Sequence, residues 1–267
     1  SIVVPTLNSE GTLERCLQSI REQTYKDIEI IVVDNHSTDR TKEIAELFGA
    51  RFFIIGPERS SQMNLGSRMA KGKYFYIIGS DFVLQPGVVE EAVRMCEQSG
   101  CDMIAVHNTS DPTVSFWSKV RKLERDCYRD DTINVAARFF QLSIFLKSGG
   151  LDEKLIAAED YDIHNRLIVA GYKCGRIKSE EIHIGEPKTL GEVISKHIYY
   201  GKVVNRFIEK YPETWPKQLT PIKVSYFRHW KDFLRHPILS VGFIVYQTVR
   251  YAASIYGFIL TKVGLGD

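Results

Sequence analysis

The sequence contains no cysteine pair at the spacing of a zinc site or of a redox motif. Its five cysteines are Cys16, Cys96, Cys101, Cys127 and Cys174, and no two of them form a CxxC. An odd number at irregular spacing does not support a disulfide framework or a zinc site. We therefore expect reduced, mostly buried thiols in a cytoplasmic protein.

Two glycine-rich phosphate-binding motifs are also missing. Neither GxGxxG nor GxxxxGK[ST] occurs, which removes the commoner dinucleotide-binding and P-loop interpretations. The first residues lack a charged segment followed by an apolar run. We therefore expect no signal peptide in this sequence.

Charge of one sign is not in large excess, because 35 Lys/Arg stand against 33 Asp/Glu and the formal net charge is +2. A nucleic-acid partner is therefore not expected. Residues 1–170 carry 20 Lys/Arg and 25 Asp/Glu, whereas residues 171–267 carry 15 and 8. The basic, aromatic-rich second part is suited to anionic phosphate or lipid headgroups.

Short apolar, β-branched runs alternate with helical patterns over the first hundred residues. Strands are predicted over 1–5, 28–33, 51–55, 74–78 and 102–106, with helices over 13–20, 42–48, 60–70 and 87–98. This alternation is typical of right-handed βαβ units. It predicts an α/β fold with a doubly wound, mostly parallel sheet flanked by helices. In such sheets ligands bind beyond the carboxyl ends of the strands.

The pattern changes after residue 106. Residues 112–130 predict one long amphipathic helix, and residues 138–145 predict an extended segment that then turns. Further helices are predicted over 159–170 and 190–211.

The C-terminal region is a long apolar run preceded by mixed aromatic and basic residues. Residues 226–236 (YFRHWKDFLRH) have the composition of an interfacial anchor, and residues 238–260 are long enough to span a bilayer. Small and polar residues fall on one stripe of this helix: Ser240, Gln247, Arg250, Ser254, Gly257 and Thr261. We predict that this stripe packs on the protein itself or on a sister helix, while the rest contacts the membrane. The alternative is a helix buried in the protein's own core.

Three loops that follow predicted strands or open a predicted helix carry acids. Asp34, in VDNHSTD, is placed to accept a hydrogen bond from a ring N–H, and Asp81, in GSDF, suits a divalent metal that bridges a diphosphate. Glu159 and Asp160 open a helix, where acids also suit the helix dipole. Helix caps and surface turns explain such acids too, so the residues alone leave both interpretations open.

Taken together, these segments resemble glycosyltransferase family 2, whose members have the GT-A nucleotide-diphospho-sugar fold. The matching segments are, in order, VVPTLNSE, IEIIVVDNHSTDRT, ERSSQMNLGSRMAKGKYFYIIGSD, ARFF followed by GGLDE, and AEDYDIHNRL. They agree in order and spacing over residues 1–185. We predict a GT-A catalytic domain over 1–215, with a nucleotide-binding half (1–106), an acceptor half (107–215), and C-terminal membrane-associated helices over 216–267.

The resemblance implies a donor pocket and a metal site. The residues that it places at the nucleotide or donor are Pro5, Thr6, Asn8, Glu10, Asp34, Arg59, Asn64 and Ser80, with Asp34 at the base. Asp81 corresponds to the metal-coordinating acid of the family's DxD motif, and His183 stands where related enzymes often supply a further ligand. The implied cofactor is Mn²⁺ or Mg²⁺. Gly79 replaces the first DxD acid, which predicts a weaker metal site.

The resemblance also implies the chemistry. Asp160 corresponds to the acid of the family's ED motif that takes the proton from the acceptor hydroxyl, while Glu159 and Arg138 belong to the acceptor or diphosphate side. The predicted activity is metal-dependent, inverting transfer of a hexose from GDP-mannose or a UDP-hexose to a hydroxyl of a lipid-linked or glycan acceptor. We expect it at the cytoplasmic face of the cell membrane.

Three alternatives stand beside this prediction. The missing DxD acid admits a sugar-nucleotide or lipid-binding scaffold that has lost turnover. A polyprenyl phosphate acceptor would not need a base, since the phosphate is already anionic. A sugar nucleotidyltransferase would want a Gly- and Arg-rich triphosphate loop near the N-terminus, and TLNSEGT is a poor match to one.

Overall fold

The computed structural model describes residues 1–131 and 133–263. The strands are β1 Ile2–Thr6, β2 Ile30–Asp34, β3 Arg51–Ile54, β4 Tyr74–Ile77, β5 Phe82–Leu84, β6 Met103–Ala105, β7 Asn108–Ser110, β8 Phe139–Gln141, β9 Cys174–Arg176 and β10 Glu181–His183. The helices are α1 Leu13–Arg21, α2 Thr41–Leu47, α3 Arg59–Met69, α4 Val88–Ser99, α5 Phe116–Asp126, α6 Leu142–Lys147, α7 Glu159–Val169, α8 Leu190–Val203, α9 Asn205–Lys210, α10 Trp215–Gln218, α11 Val224–Arg228, α12 Trp230–Arg235 and α13 Pro237–Lys262.

The main sheet has seven strands in the order β3-β2-β1-β4-β8-β6-β9. The pairs of β1 with β2 and β4, of β2 with β3, and of β6 with β9 are parallel. Strand β8 runs antiparallel to both of its neighbours, β4 and β6. The prediction of a doubly wound, mostly parallel sheet flanked by helices is confirmed.

Alternate residues of β1 face two separate hydrophobic clusters. Ile2 and Val4 pack with apolar residues of α1, α2 and α4. Val3 packs with residues of α3, α6 and α7 on the other side. Because helices cover both faces, every residue of β1 is buried, which explains why this strand reads as a continuous apolar run.

The later elements differ from the prediction in four places. The helix expected over 112–130 spans only α5, because the Ser115 side chain caps its first turn and the helix ends at Asp126. The segment expected to be extended over 138–145 is β8 followed by α6. The helix expected over 190–211 is two helices, α8 and α9, which meet at Val204. Strands β5, β7, β9 and β10, of three residues each, were not predicted.

The chain divides into two compact units. The first contains residues 1–108, 136–153 and 159–185, and the second contains 109–135, 154–158 and 186–267. The domain boundaries expected at residues 106 and 215 stay predictions. The last four residues of the predicted C-terminal segment lie outside the described residues.

The second unit is helical around α13. Val120 of α5, Val193 of α8 and Tyr246 of α13 form its buried cluster. By length and composition α13 is apolar enough to cross a membrane, and 22% of its most apolar window is buried. Most residues of that window keep some exposure, which favours a helix on the outside of the protein over a buried core helix, and contact with a membrane stays a prediction.

Candidate active site

Every residue that the sequence predicted for the site lies in the first unit. Asp34 ends β2 and is 2% exposed. Its Oδ1 accepts hydrogen bonds from the Thr6 and Ser37 hydroxyls (2.7 and 2.6 Å), and its Oδ2 accepts one from the Ser37 N–H (2.7 Å). A carboxylate has about four acceptor sites. The bond from Thr6 joins the end of β1 to the end of β2, and the two bonds from Ser37 fix the turn after β2.

The next residues along the β1 loop tie it further to the β2 loop. The Asn8 Oδ1 accepts from the Thr38 N–H (2.9 Å), and the Glu10 Oε2 accepts from the Arg40 N–H (3.1 Å). Asn8 and Glu10 are exposed, whereas Pro5 is buried in β1. Of the predicted donor residues, Asn8 and Glu10 therefore lie on the surface at the carboxyl ends of β1 and β2, and Thr6 and Asp34 are buried beneath it.

Asp81 is placed by the pairing of two short strands. It precedes β5, and β5 pairs antiparallel with β10 so that His183 lies opposite Phe82. The His183 Nε2 is 2.8 Å from the Asp81 Oδ2, and the Ile184 N–H donates to the Asp81 carbonyl (2.8 Å). Two residues that are 102 positions apart in the sequence thus form one carboxylate–imidazole pair.

The Asp81 side chain lies between two glycines. A Cβ at Gly79 would be 2.8 Å from the Asp81 Oδ1 and 3.0 Å from the Phe82 ring. A Cβ at Gly185 would be 2.6 Å from the Asp81 Oδ2 and 2.7 Å from its Cβ. The Asp81 carboxylate occupies the space that a larger residue 79 would need, which gives a physical reason for glycine at the first DxD position.

A divalent cation suits this pair of side chains. Carboxylate oxygen and imidazole nitrogen are both ligands for Mn²⁺, and Mg²⁺ often takes one or two carboxylates with substrate phosphates and water. Within the described residues there is no group of three or more His, Cys, Asp or Glu placed to hold a metal. Asp81 and His183 would therefore supply two ligands, and the donor's phosphates and water would complete the set.

Replacing Gly185 with alanine is expected to displace the Asp81 carboxylate, since the new methyl group would overlap it. We expect the Mn²⁺-dependent affinity for the donor to fall roughly ten-fold, in the range seen when residues around metal ligands are changed. Calorimetric titration measures the loss. Gly191→Ala is the control, because its nearest atom is 3.7 Å away. Equal affinity in both variants would contradict the packed position of Asp81.

Arg138 is held by a residue that the sequence did not single out. Its Nη1 is 2.7 Å from the Glu181 Oε2, and the Tyr76 hydroxyl donates to the Glu181 Oε1 (2.8 Å). The guanidinium also stacks over the Phe82 ring at 5.0 Å. Burial alone would lower the pKa of Arg138, but the negative charges of Glu181, Asp160 and Asp81 raise it. One fixed cation therefore interacts with both the predicted base and the predicted metal ligand.

The three acids at the start of α7 have different surroundings. Asp162 is fully buried and pairs with Arg166 (2.9 Å), whose guanidinium also donates to the carbonyls of Ser148 and Gly150. The Asp160 carboxylate is half-buried and accepts from the Tyr161 N–H (2.8 Å). Among residues 1–131 and 133–263, Asp160 forms no ion pair with a basic side chain.

Glu159 is buried at the N-terminus of α7 beside Arg59. The Arg59 Nη1 is 3.4 Å from the Glu159 Oε1. Burial raises the pKa of Glu159 to about 7, although the Arg59 charge opposes the shift. Burial therefore favours the neutral form of Glu159 more than it would be favoured at an exposed glutamate.

Asn64 and Ser80 connect loops around this site. The Asn64 amide donates to the Leu151 carbonyl (2.9 Å) and to Glu153 (2.9 Å), and its Oδ1 accepts from the Leu151 N–H (2.9 Å). These bonds hold the GGLDE segment. The Ser80 hydroxyl is 2.9 Å from that of Ser9 and joins the loops after β4 and β1. Donor contacts of both residues stay predictions.

The profile of the family described as "Glycosyl transferase family 2" matches residues 1–149, more than half of the chain. The chain belongs to glycosyl transferase family 2. A glycosyltransferase of Rickettsia prowazekii is 35% identical over 179 residues, which are 61% of this chain and 56% of that protein. The chain spans between 32% and 56% of the length of the first three curated relatives that it matches.

Solved structures share the family 2 fold. A mannosyltransferase from Pyrobaculum calidifontis, in complex with GDP-Man and Mn²⁺, superposes with a TM-score of 0.64 at 15% identity, over 98% of this chain and 86% of that one. TarS of Staphylococcus aureus, residues 1–349 with UDP-GlcNAc, has a TM-score of 0.54 at 14% identity, over 98% and 91% of the two chains. At these identities the likeness establishes the GT-A fold.

Two residues around the family 2 site escaped the sequence reasoning. Glu181 precedes the predicted ligand His183 by two positions, yet nothing in EEIHIG marks it as the partner of Arg138. Gly185 stands in the same segment, two residues after His183. A glycine at such a position often marks a place where another group approaches the backbone closely, and this could have pointed to the contact with Asp81.

Proposed function

We propose that this protein is a metal-dependent, inverting glycosyltransferase that moves a hexose from a nucleotide-diphospho-sugar to an acceptor hydroxyl. One observation carries the proposal: the His183 Nε2 lies 2.8 Å from the Asp81 Oδ2, and the charges of Asp160 and Asp81 both raise the pKa of the half-buried Arg138. A proton acceptor and a cation site are thereby combined around one fixed positive charge. Family membership and the GT-A fold support this combination.

In this proposal each residue of the site has a separate role in the reaction. Asp81 and His183 would hold the divalent cation, which when bound supplies positive charge to the diphosphate leaving group. Arg59 and Arg138 add positive charge near the same groups. The Asp160 carboxylate would accept the proton of the attacking hydroxyl, which is a poor nucleophile while protonated. Asp34, Asn8 and Glu10 would shape the nucleotide pocket.

The chemical class of the acceptor is inferred from the proposed base, Asp160. A phosphate acceptor is already anionic, whereas a half-buried carboxylate that forms no ion pair among the described residues is suited to accept the proton of a hydroxyl. We propose a lipid-linked glycan hydroxyl over a polyprenyl phosphate, at the cytoplasmic face of the membrane, on the support of the apolar α13. The donor is a GDP-mannose or a UDP-hexose, in keeping with the ligands in the two solved structures.

Calorimetric titration of the protein with GDP-mannose, UDP-glucose and UDP-N-acetylglucosamine, each in Mn²⁺ and in EDTA, tests the proposal. We expect one donor to bind with Mn²⁺ and to lose at least roughly ten-fold in affinity in EDTA. Equal affinity in EDTA would contradict the metal dependence.

A second candidate function rests on Gly79, since the DxD position of this sequence offers one carboxylate, Asp81, in place of two. A donor-binding scaffold would bind the sugar nucleotide without turning it over. Incubation of the Mn²⁺-loaded protein with radiolabelled donor and a membrane lipid extract separates the two. Transfer of label to lipid supports the enzyme, whereas binding without transfer supports the scaffold.

A further inference from the structure

The exposed face of α13 is an uninterrupted uncharged stripe. The exposed residues from its first turn to Ile259 are Pro237, Ile238, Val241, Ile244, Val245, Thr248, Ala252, Ile255, Tyr256 and Ile259, and the exposed Lys262 follows at the end of the helix. At about 1.5 Å per residue, the stripe is roughly 30 Å long. An exposed apolar surface of this extent marks an interaction site.

The opposite face of α13 packs against α5 and α8 of the same unit. The Gln247 Nε2 and Arg250 Nη1 donate to Glu124 of α5 (3.2 and 3.1 Å), and the Thr261 hydroxyl donates to the Lys202 carbonyl of α8 (3.2 Å). These residues belong to the polar stripe predicted from the sequence. The prediction that this stripe packs on protein is confirmed.

Glycines bring α13 and α8 into backbone contact. A Cβ at Gly257 would overlap the Ile198 carbonyl, and one at Gly201 would overlap the Ser254 carbonyl. The two helices therefore approach too closely for any side chain at these positions. They form one packed element.

A buried ion cluster fastens α13 to α5. Glu124 is 1% exposed and pairs with both Arg121 and Arg250. Burial alone would raise the pKa of Glu124, but the two guanidinium groups hold it well below its usual range. Moving α13 away would separate the buried Glu124 from Arg250, one of its two guanidinium partners, which is unfavourable.

The attachment of α13 to α5 affects whether α13 can cross a bilayer or lies on its surface. If the helix crossed the hydrocarbon, α5 would have to enter with it or release it. Six of the eleven residues of α5 (FWSKVRKLERD) are charged, and charged side chains at the bilayer centre are costly. A helix bound to protein on one face and uncharged on the other is suited to lie along a surface.

The segment around α13 has the charge that an anionic surface attracts. Residues 214–263 contain seven Lys/Arg and one acid, Asp232. The exposed residues of α11 and α12 combine apolar and basic side chains: Val224, Phe227, Arg228, Trp230, Lys231, Leu234 and Arg235. Tryptophan with basic residues is typical of the headgroup region of a membrane.

We propose that α13 lies in the plane of an anionic bilayer, with the exposed stripe in the headgroup–acyl boundary, and does not span it. The proposal rests on the membrane association within the proposed function and is independent of the donor and of turnover. The occupant of the stripe is the lipid surface itself.

Flotation of the full chain with vesicles tests the binding. We expect at least roughly ten-fold stronger binding to phosphatidylcholine–phosphatidylglycerol (3:1) than to phosphatidylcholine alone. Ile244→Glu should weaken it by roughly ten-fold or more, since it places a charge in the stripe. Leu47→Glu is the matched control, because Leu47 is an exposed apolar residue on α2. The double variant Lys231→Glu, Arg235→Glu should weaken binding to the anionic vesicles by at least about twenty-fold. Lys26→Glu, at an exposed lysine far from α13 in the sequence, is the control and should change this binding little.

Depth measurement separates lying from spanning. The variants Ile238→Cys, Thr248→Cys and Ile259→Cys are labelled with an environment-sensitive fluorophore and quenched by lipids brominated at different depths. The wild-type protein, treated in the same way, measures the background signal from labelling of its native cysteines. An in-plane helix gives three similar, shallow depths. A spanning helix places residue 248 deepest, and this result would overturn the proposal.

Two further results would also overturn it. The first is vesicle binding that Ile244→Glu leaves unchanged. The second is a dimer in light scattering that Ile244→Glu converts to a monomer while both proteins bind vesicles equally, since the stripe would then cover a second copy. Donor titration of Ile244→Glu should match wild type, so a failed vesicle experiment leaves the transferase proposal standing.

Discussion

Asp160→Asn is expected to lower the rate of glycosyl transfer by about 10²- to 10⁴-fold, the range that general bases contribute. The amide has the size of the carboxylate, and its oxygen can still accept from the Tyr161 N–H, as the Asp160 Oδ1 does. It cannot take a proton at neutral pH. Donor affinity should stay within a few-fold of wild type, because the proposed base contacts the acceptor hydroxyl. Product formation and calorimetric donor binding measure the two effects separately.

Asp162→Asn is the matched control in the same helical turn. Asp162 is fully buried and bonded to Arg166, so its replacement should lower the free energy of unfolding by about 1.5–3 kcal/mol, the range for hydrogen bonds to charged groups. Its rate per folded molecule should stay within a few-fold of wild type. Full activity in Asp160→Asn, or loss of its donor binding, would remove Asp160 as the base.

The contrast between these two acids shows what the sequence could not decide. Three acids within four positions all suit the first turn of a helix. Their roles separate only through distant partners: Arg166 reaches Ser148 and Gly150, and Arg59 reaches Glu159 across 100 residues of sequence. Helical spacing identifies α7, but it carries no information about such contacts.

Much of the first half of the fold was predictable because β1, β2 and β4 are buried along their whole length and α1 and α4 are amphipathic. These elements therefore stand out by hydrophobic pattern alone. Strands β5 and β10 have three residues each, too few to show a period. Their pairing brings His183 to Asp81, so the proposed pair of metal ligands was inferred from family resemblance and not from periodicity.

The antiparallel strand β8 shows a second limit. The sequence predicts an extended segment over 138–145. Residues 139–141 are a strand, but helix α6 begins at the next residue, with no loop between them. A strand inserted between β4 and β6 comes from later in the chain. Its place in the sheet depends on non-local pairing, which local pattern does not encode.

Asp81→Ala is expected to abolish the difference in donor affinity between Mn²⁺ and EDTA. Removing one of two protein ligands should cost at least about 100-fold in metal affinity, the upper end for changes that only touch residues around a ligand. The Asp81 side chain is 37% exposed, so the fold should persist. Asp27→Ala, at another exposed acid, should titrate as wild type.

Asp81→Asn separates the charge of the carboxylate from its packing. An asparagine still fills the space between Gly79 and Gly185 and can still bond to His183, but it is a weaker ligand for a hard cation. If both variants lose the Mn²⁺ effect, the negative charge of Asp81 is what the metal requires. If Asp81→Ala titrates with Mn²⁺ as wild type does, Asp81 is not a ligand. The carboxylate–imidazole pair would then fix β5 against β10 and nothing more.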